Sequence, residues 1–245
     1  MRFDLLRNQL NKALVKASLG DKESFDDQMT ARESPIDAGN YDLVKGSLEA
    51  STDLFDRMYD DTERRSLAET KIKTSWGAVP AFVRIEILID LAESALGHSD
   101  QNKALELVNE GKVIMDTHQW PLEVRIPMSA RLAGLRFRSG DRRRARSDAD
   151  ALRSLYAAEG NAIVNIYRAR ALLPLAQAYQ SMGESDTALG VYKQAVEEGI
   201  DNPNSRPCAE DLSATCCSMA LCALEPDAEL WTRLHQIHDG LRPPW

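Results

Sequence analysis

Long apolar runs, strand patterns and aromatic residues are scarce in this chain of 245 residues. No apolar stretch approaches the 18 residues of a membrane-spanning helix, and the N-terminus Met1-Arg2-Phe3-Asp4 lacks the apolar region of a secretory signal. Phe, Trp and Tyr make up only 6% of the residues, and no useful alternating run follows Pro80. We therefore expect a cytoplasmic protein with an all-α fold and no membrane partner.

Motifs for catalysis are missing as well. The sequence contains no GxxxxGK[ST], GxGxxG, GxSxG or HExxH pattern. His235 and His238 could supply two metal ligands from one helix, with a cysteine to complete the site, but no tight cysteine pair accompanies them. We expect no metal, no cofactor and no catalytic residues. A helical enzyme with a site assembled from distant residues is the alternative.

The cysteines are few and confined to the last 38 residues: Cys208, Cys216, Cys217 and Cys222. No CxxC spacing occurs, and the adjacent pair Cys216-Cys217 points to different sides of a helix. We predict reduced thiols that act as small core residues.

Positive charge is in the minority, with 30 Lys and Arg against 38 Asp and Glu, and the net charge is −8. This acidic balance disfavours a general nucleic-acid binder. Residues 125–153 reverse it, with nine arginines against three acids. They include a basic patch at Arg142, Arg143, Arg144 and Arg146. This patch leaves binding of nucleic acid or another polyanion as an alternative function, beside a plain solvated helix face.

Three regions follow from the apolar periodicity. Residues 1–40 combine an amphipathic helix at 3–19 with a polar loop. Residues 41–77 form one long helix, or two with a break near Asp60-Asp61-Thr62 where Thr62 could cap the second. Residues 78–245 form the repeat domain. Prolines are expected where its helices begin, at Pro80, at Pro121 or Pro127, and at Pro207. Pro174 should kink a helical stretch from Ala162 to Met182.

The region after Pro80 repeats at intervals of about 40 residues. An alanine early in each second helix anchors the alignment, at Ala104, Ala145, Ala188 and Ala228. Twelve residues earlier lies a small residue, at Ala92, Ala133, Ala176 and Cys216. Turns between the two helices fall at Ser99, Gly140, Gly183 and Ala223, and possible capping acids follow the first three, at Asp100, Asp141 and Glu184. The spacing predicts about four antiparallel helix pairs. A helical bundle with alanines at its close contacts would give a similar pattern.

The third unit reads Leu172-x2-Leu175-Ala176-x2-Tyr179-x3-Gly183-x4-Ala188-x3-Tyr192-x2-Ala195. Small residues would let two helices touch, and the tyrosines would fill the layer between pairs. This pattern resembles the tetratricopeptide (TPR) family, over roughly residues 81–240 and with a longer period than the family's 34 residues. The resemblance implies a TPR-like right-handed superhelix of antiparallel helix pairs, here with an N-terminal helical extension. It also implies a scaffold that binds a protein or peptide on its concave face.

In this register seven first-helix positions face the predicted peptide-binding groove: Glu86, Glu93, Arg131, Gly134, Arg138, Arg170 and Gln177. Arg131 and Arg138 lie two turns apart on one face, and arginine binds carboxylates through two parallel hydrogen bonds. We therefore expect an acidic peptide or chain terminus as the ligand. The alternative is that these arginines pair with neighbouring acids of the same surface. Formation of a homo-oligomer stays open.

Overall fold

Every regular element in the part of the chain that the structure describes is helical. The computed structural model describes residues 41–201 and 205–240, which confirms the predicted all-α fold for those residues. The helix predicted at 3–19 and the loop at 20–40 lie outside the described residues. None of the described helices is both long and apolar enough to cross a membrane. The chain divides into two compact units, residues 1–107 and 108–245.

The described part of the first unit holds three complete helices and the start of a fourth. They are α1 (Tyr41–Arg57), α2 (Thr62–Thr74), α3 (Ala81–Gly97) and α4 (Gln101–Thr117), with a 3₁₀ turn at Ser75–Ala78; residues 108–117 of α4 belong to the second unit. Helix α1 packs against both α2 and α3. The break after α1 falls where the sequence predicts it. The cap of α2 is Asp61 rather than Thr62, because Oδ1 of Asp61 accepts a hydrogen bond of 3.1 Å from the Arg64 amide.

Six complete helices follow in the second unit: α5 (Leu122–Arg138), α6 (Arg142–Glu159), α7 (Asn165–Ser181), α8 (Ser185–Ile200), α9 (Ser205–Leu221) and α10 (Ala228–Gly240). A 3₁₀ turn at Gly160–Ala162 precedes α7, so α7 begins three residues later than predicted. Helix α5 packs on α6 and α7, α7 packs on α6, α8 and α9, and α8 packs on α9 and α10. The first helices of successive pairs, α5, α7 and α9, are therefore neighbours.

The four predicted turns share one backbone geometry. Ser99, Gly140, Gly183 and Ala223 have φ angles of 62°, 97°, 78° and 51°, the left-handed region that ends many helices. After each, an amide donates to the carbonyl five residues earlier, as from Asp100 to Ala95 at 2.8 Å and from Glu184 to Tyr179 at 3.0 Å. The same bond joins Asp141 to Arg136 and Leu224 to Met219. This repeated Schellman turn is the clearest structural expression of the repeat.

The core of the second unit confirms that the key small and aromatic residues predicted for the third repeat are buried. Ala176, Ala188, Tyr179 and Tyr192 are all completely buried. The Tyr179 hydroxyl donates to Oδ1 of Asp150 at 2.8 Å, and the Tyr192 hydroxyl lies 2.8 Å from Oγ of Ser218. Burial raises the pKa of both phenols, so they stay neutral and bridge neighbouring helices as hydrogen-bonding groups.

The fourth predicted anchor is out of register. Ala104, Ala145 and Ala188 are completely buried, whereas Ala228 is exposed. Four residues separate the Ala223 turn from α10, against a single residue after each of the other turns. The cap of α10 is consequently Asp227, whose Oδ1 accepts from the Leu230 amide at 2.8 Å. The extra residues include Pro226, which a simple count of spacings ignores.

Two other local predictions also need correction. Glu184 makes no capping hydrogen bond through its side chain. Pro80 and Pro121 each occupy the N-cap position rather than the first helical position, while Pro127 lies inside α5. Pro174 lies inside α7, as predicted.

Candidate functional site

The predicted groove residues fall in both compact units. Glu86 and Glu93 lie on α3 in the first unit, where Glu86 is 3.9 Å from the Lys45 ammonium and Glu93 is exposed. The other five lie in the second unit, on the neighbouring helices α5 and α7. The candidate site is therefore built from α5 and α7.

Gly134 marks the contact between those two helices. A Cβ atom at Gly134 would lie 3.6 Å from Cα of Ala178 and 3.6 Å from Oγ of Ser181, so the α5 backbone runs close to α7 at this point. Arg131 and Arg138 lie one turn to either side of Gly134 on the same stripe of α5. The two arginines therefore lie close to the line along which α5 meets α7, one turn before and one turn after Gly134.

Arg131 and Arg138 are the cations that this site leaves available. Arg131 is half-buried and Arg138 is exposed. Neither guanidinium forms an ion pair or a hydrogen bond with another residue of the described ranges. The Cα atoms of the two residues lie about 10 Å apart along the helix axis. The pair can contact two separate carboxylates, or a carboxylate and a second polar group, of one bound segment.

Arg170 and Gln177 are engaged with α9 instead. Nε of Arg170 donates to Oδ1 of Asp211 at 2.8 Å, and Nε2 of Gln177 donates to Oγ of Ser218 at 2.8 Å. Arg170 also lies 3.6 Å from Glu210. The alternative of pairing with neighbouring acids therefore holds for Arg170, whose charge is already balanced.

The predicted basic patch lies at the start of α6, and part of its charge is engaged in ion pairs. Arg144 lies 3.9 Å from Asp141, and Nε of Arg146 donates to both oxygens of Asp150 at 3.1 Å while its Nη1 pairs with Glu184. Arg142 and Arg143 are exposed, with the Arg142 guanidinium 5.4 Å from the centre of the Phe137 ring. Two of the four arginines, Arg144 and Arg146, are thus ion-paired, whereas Arg142 and Arg143 form no ion pair with a described residue.

The four cysteines are free thiols with different exposures. Cys208 is buried and Cys216 and Cys222 are half-buried, but Cys217 is exposed, so the prediction of a core role is wrong for Cys217. The reason is geometric, because adjacent helical residues point about 100° apart. Burial raises the pKa of the Cys208 and Cys216 thiols. Across residues 41–201 and 205–240, no group of three or more His, Cys, Asp or Glu side chains is placed to hold a metal.

One recurring arginine was missed by sequence reasoning. Arg84 and Arg168 lie at matching positions of α3 and α7, and each Nε donates to the carbonyl five residues earlier, that of Val79 at 3.1 Å and of Ile163 at 2.8 Å. Arg125 holds the same position in α5, yet its guanidinium makes no bond of this kind to a described residue. The repeated sequence Pro-x2-Val-Arg-Ile, at 80–85 and 121–126, could have revealed Arg84 and Arg125 but not Arg168.

Over residues 41–201 and 205–240 these features describe an all-α arrangement of repeated helix pairs. In it, α5 presents beside α7 two arginines that no described residue pairs with. Comparison with protein-family models, curated proteins and solved structures gives no match to this chain.

Proposed function

We propose that the chain is a non-catalytic scaffold of TPR-like helix pairs, arranged as a right-handed superhelix, that binds an acidic peptide or chain terminus. The proposal rests on the helix-pair contacts and the repeated Schellman turns, which support a stacked array. Stacking leaves one face of the first helices α5, α7 and α9 for a ligand. Such extended surfaces are suited to recognition of a chain segment rather than to bond-making chemistry.

The proposed class of ligand rests on Arg131 and Arg138. Neither guanidinium pairs with an acid in the described ranges. A guanidinium without an acidic neighbour is free to bind an incoming carboxylate through two parallel hydrogen bonds. Arg170 of α7 is already paired with Asp211. The cations that remain available to a ligand in the proposed site are therefore those of α5. Gln177, joined to Ser218, lines the α7 side as a neutral neighbour.

The test uses a fluorescein-labelled deca-glutamate peptide as the probe, with a deca-glutamine peptide for comparison. Fluorescence anisotropy is measured for the wild type and for the double variant Arg131→Glu/Arg138→Glu, after circular dichroism shows equal helicity and melting. We expect the double variant to bind deca-glutamate at least about tenfold more weakly, which corresponds to about 1.4 kcal/mol. Deca-glutamine should bind neither protein.

The matched control is Arg143→Glu/Arg153→Glu, which makes the same charge change at two exposed arginines of α6. Under the proposal this control keeps wild-type affinity. A loss in the control, with none in the α5 variant, would move the function to polyanion binding through the basic patch. Affinity of the α5 variant equal to that of the wild type would reject the proposed site.

A further inference from the structure

The second unit contains a cleft on a different stripe of α5. It has a volume of about 300 Å³ and lies between residues 112–116 of α4 and the helices α5 and α6. Arg125, Leu132 and Arg136 form part of its α5 floor, and Met115, Leu152 and Leu155 add apolar walls. The stripe of Arg125, Leu132 and Arg136 is separate from the one that carries Arg131 and Arg138. The cleft is therefore distinct from the proposed peptide site.

Most charges in this cleft cancel in pairs. Nζ of Lys112 lies 2.6 Å from Oδ2 of Asp116. The buried Arg136 lies 3.3 Å from Oδ2 of Asp148 and makes a second ion pair with Asp141. Arg125 is left over, since no acid in the described ranges pairs with it and its side chain is exposed at the cleft. The cleft thus combines apolar walls with one uncompensated positive charge.

The free guanidinium of Arg125 is an exception to the repeat. Its counterparts Arg84 and Arg168 are both held by carbonyls of the segment that precedes their helix. In α5 the corresponding carbonyl belongs to Trp120, whose indole Nε1 donates to the Met115 carbonyl at 3.0 Å. The backbone bond that fixes this arginine elsewhere is absent for Arg125 in the described structure. Arg125 is free to serve a ligand.

We propose that this cleft binds a small aliphatic monocarboxylate. The carboxylate pairs with Arg125, and the aliphatic chain lies against Met115, Leu132, Leu152 and Leu155. Arginine and carboxylate match in charge and in planar geometry. The volume is at the lower end for small-molecule sites, which suits a medium-length aliphatic chain such as that of octanoate rather than a large cofactor. The proposal does not depend on the proposed peptide-binding function.

The probe is octanoate, titrated into the full chain by isothermal calorimetry. Two comparison compounds separate the contributions of charge and chain, octanol without the carboxylate and acetate without the long chain. We expect saturable octanoate binding and at least tenfold weaker binding of either comparison compound. Arg125→Gln should weaken octanoate binding at least tenfold, while the conservative Arg125→Lys should restore part of it.

Two further variants test whether binding is specific to Arg125 and whether it takes place in the cleft. Arg153→Gln removes an exposed arginine of α6 that does not line the cleft and should bind octanoate like the wild type. Ala151→Phe places a ring in the cleft from an exposed position, and should abolish binding without loss of helicity. The proposal is overturned by absence of saturable binding at millimolar octanoate. It is equally overturned if Arg125→Gln, folded as the wild type, keeps full affinity.

Discussion

Arg170 on α7 and Asp211 on α9, 41 residues apart, form a hydrogen-bonded ion pair of 2.8 Å. The same separation of 41 residues joins Gln177 to Ser218, one heptad further along each helix. Asp211 is 2% exposed, and its Oδ2 has no partner in the described structure, so its ion pair depends chiefly on Arg170. The contact between α7 and α9 therefore includes two polar pairs, whereas α5 approaches α7 closely at Gly134.

Removal of Arg170 should destabilise the second unit. Arg170→Ala leaves a buried carboxylate without its main partner, and we expect a loss of about 1–3 kcal/mol in the free energy of unfolding. The double variant Arg170→Ala/Asp211→Asn should lose less than the sum of the single variants, because it also removes the buried charge. Urea denaturation followed by circular dichroism measures both. Wild-type stability of Arg170→Ala would show that this arginine is not needed for packing.

Enlargement of Ala176 should overpack the contact inside the third helix pair. Ala176 is completely buried, so Ala176→Leu should cost roughly 1–3 kcal/mol of stability. Ala157→Leu on α6 is the matched control, because Ala157 is exposed and an added side chain there enters solvent. Thermal melting distinguishes the two. Equal melting temperatures for the two variants would contradict the close helix contact at Ala176.

The sequence predicted those parts of the fold that depend on small residues at fixed spacing. Gly140 and Gly183 end helices in a conformation that favours glycine, and Ala176 and Ala188 are buried where only a small side chain is expected, so their positions are constrained locally. The register of α10 was missed because Pro226 belongs to a longer turn with no counterpart in the other repeats.

The candidate site was less predictable for a different reason. The positions that face the groove can be predicted by counting along one helix. Whether an arginine there forms an ion pair depends on which acids the neighbouring helices supply. Asp211, which engages Arg170, belongs to the next helix pair. No local pattern distinguishes Arg131, which pairs with no described residue, from Arg170, which is paired. The repeated Pro-x2-Val-Arg-Ile segment indicates a role for Arg125, yet only the structure shows that its side chain is free.

The cysteines should differ in reactivity. Cys217 is exposed, whereas burial raises the pKa of Cys208 and Cys216 and so reduces their thiolate fraction. We expect one thiol, that of Cys217, to react with a thiol reagent well before those of Cys208 and Cys216 in the native protein. Cys217→Ser should remove this fast phase.

A chelator should leave the melting curve unchanged, and loss of helicity on chelation would contradict a metal-independent fold.

Stability of the first unit should fall in acid through Glu69. Burial would raise the pKa of Glu69, but Lys73 at 2.8 Å and Lys103 at 2.9 Å outweigh burial and lower it below 4.5. A lowered pKa means that the stabilisation is complete above pH 4.5 and is lost as the pH falls through the lower value of the folded state. Glu69→Gln should therefore be less stable than the wild type by about 1 kcal/mol at pH 7. Denaturation at pH 7 and pH 3 should show this difference shrinking in acid; a constant difference would assign it to packing.

Substitutions at two matching turns should change stability in opposite directions. Gly183 has a φ of 78° with no atom within 4 Å of an added Cβ, so Gly183→Ala is penalised by backbone conformation alone, by about 1 kcal/mol. Ala223 already bears that penalty at a φ of 51°, and Ala223→Gly should relieve it, for a gain of roughly 0.5–1 kcal/mol. Urea midpoints of the two variants measure both effects under identical conditions. Shifts of the same sign would show that the Schellman turns at Gly183 and Ala223 are not equivalent.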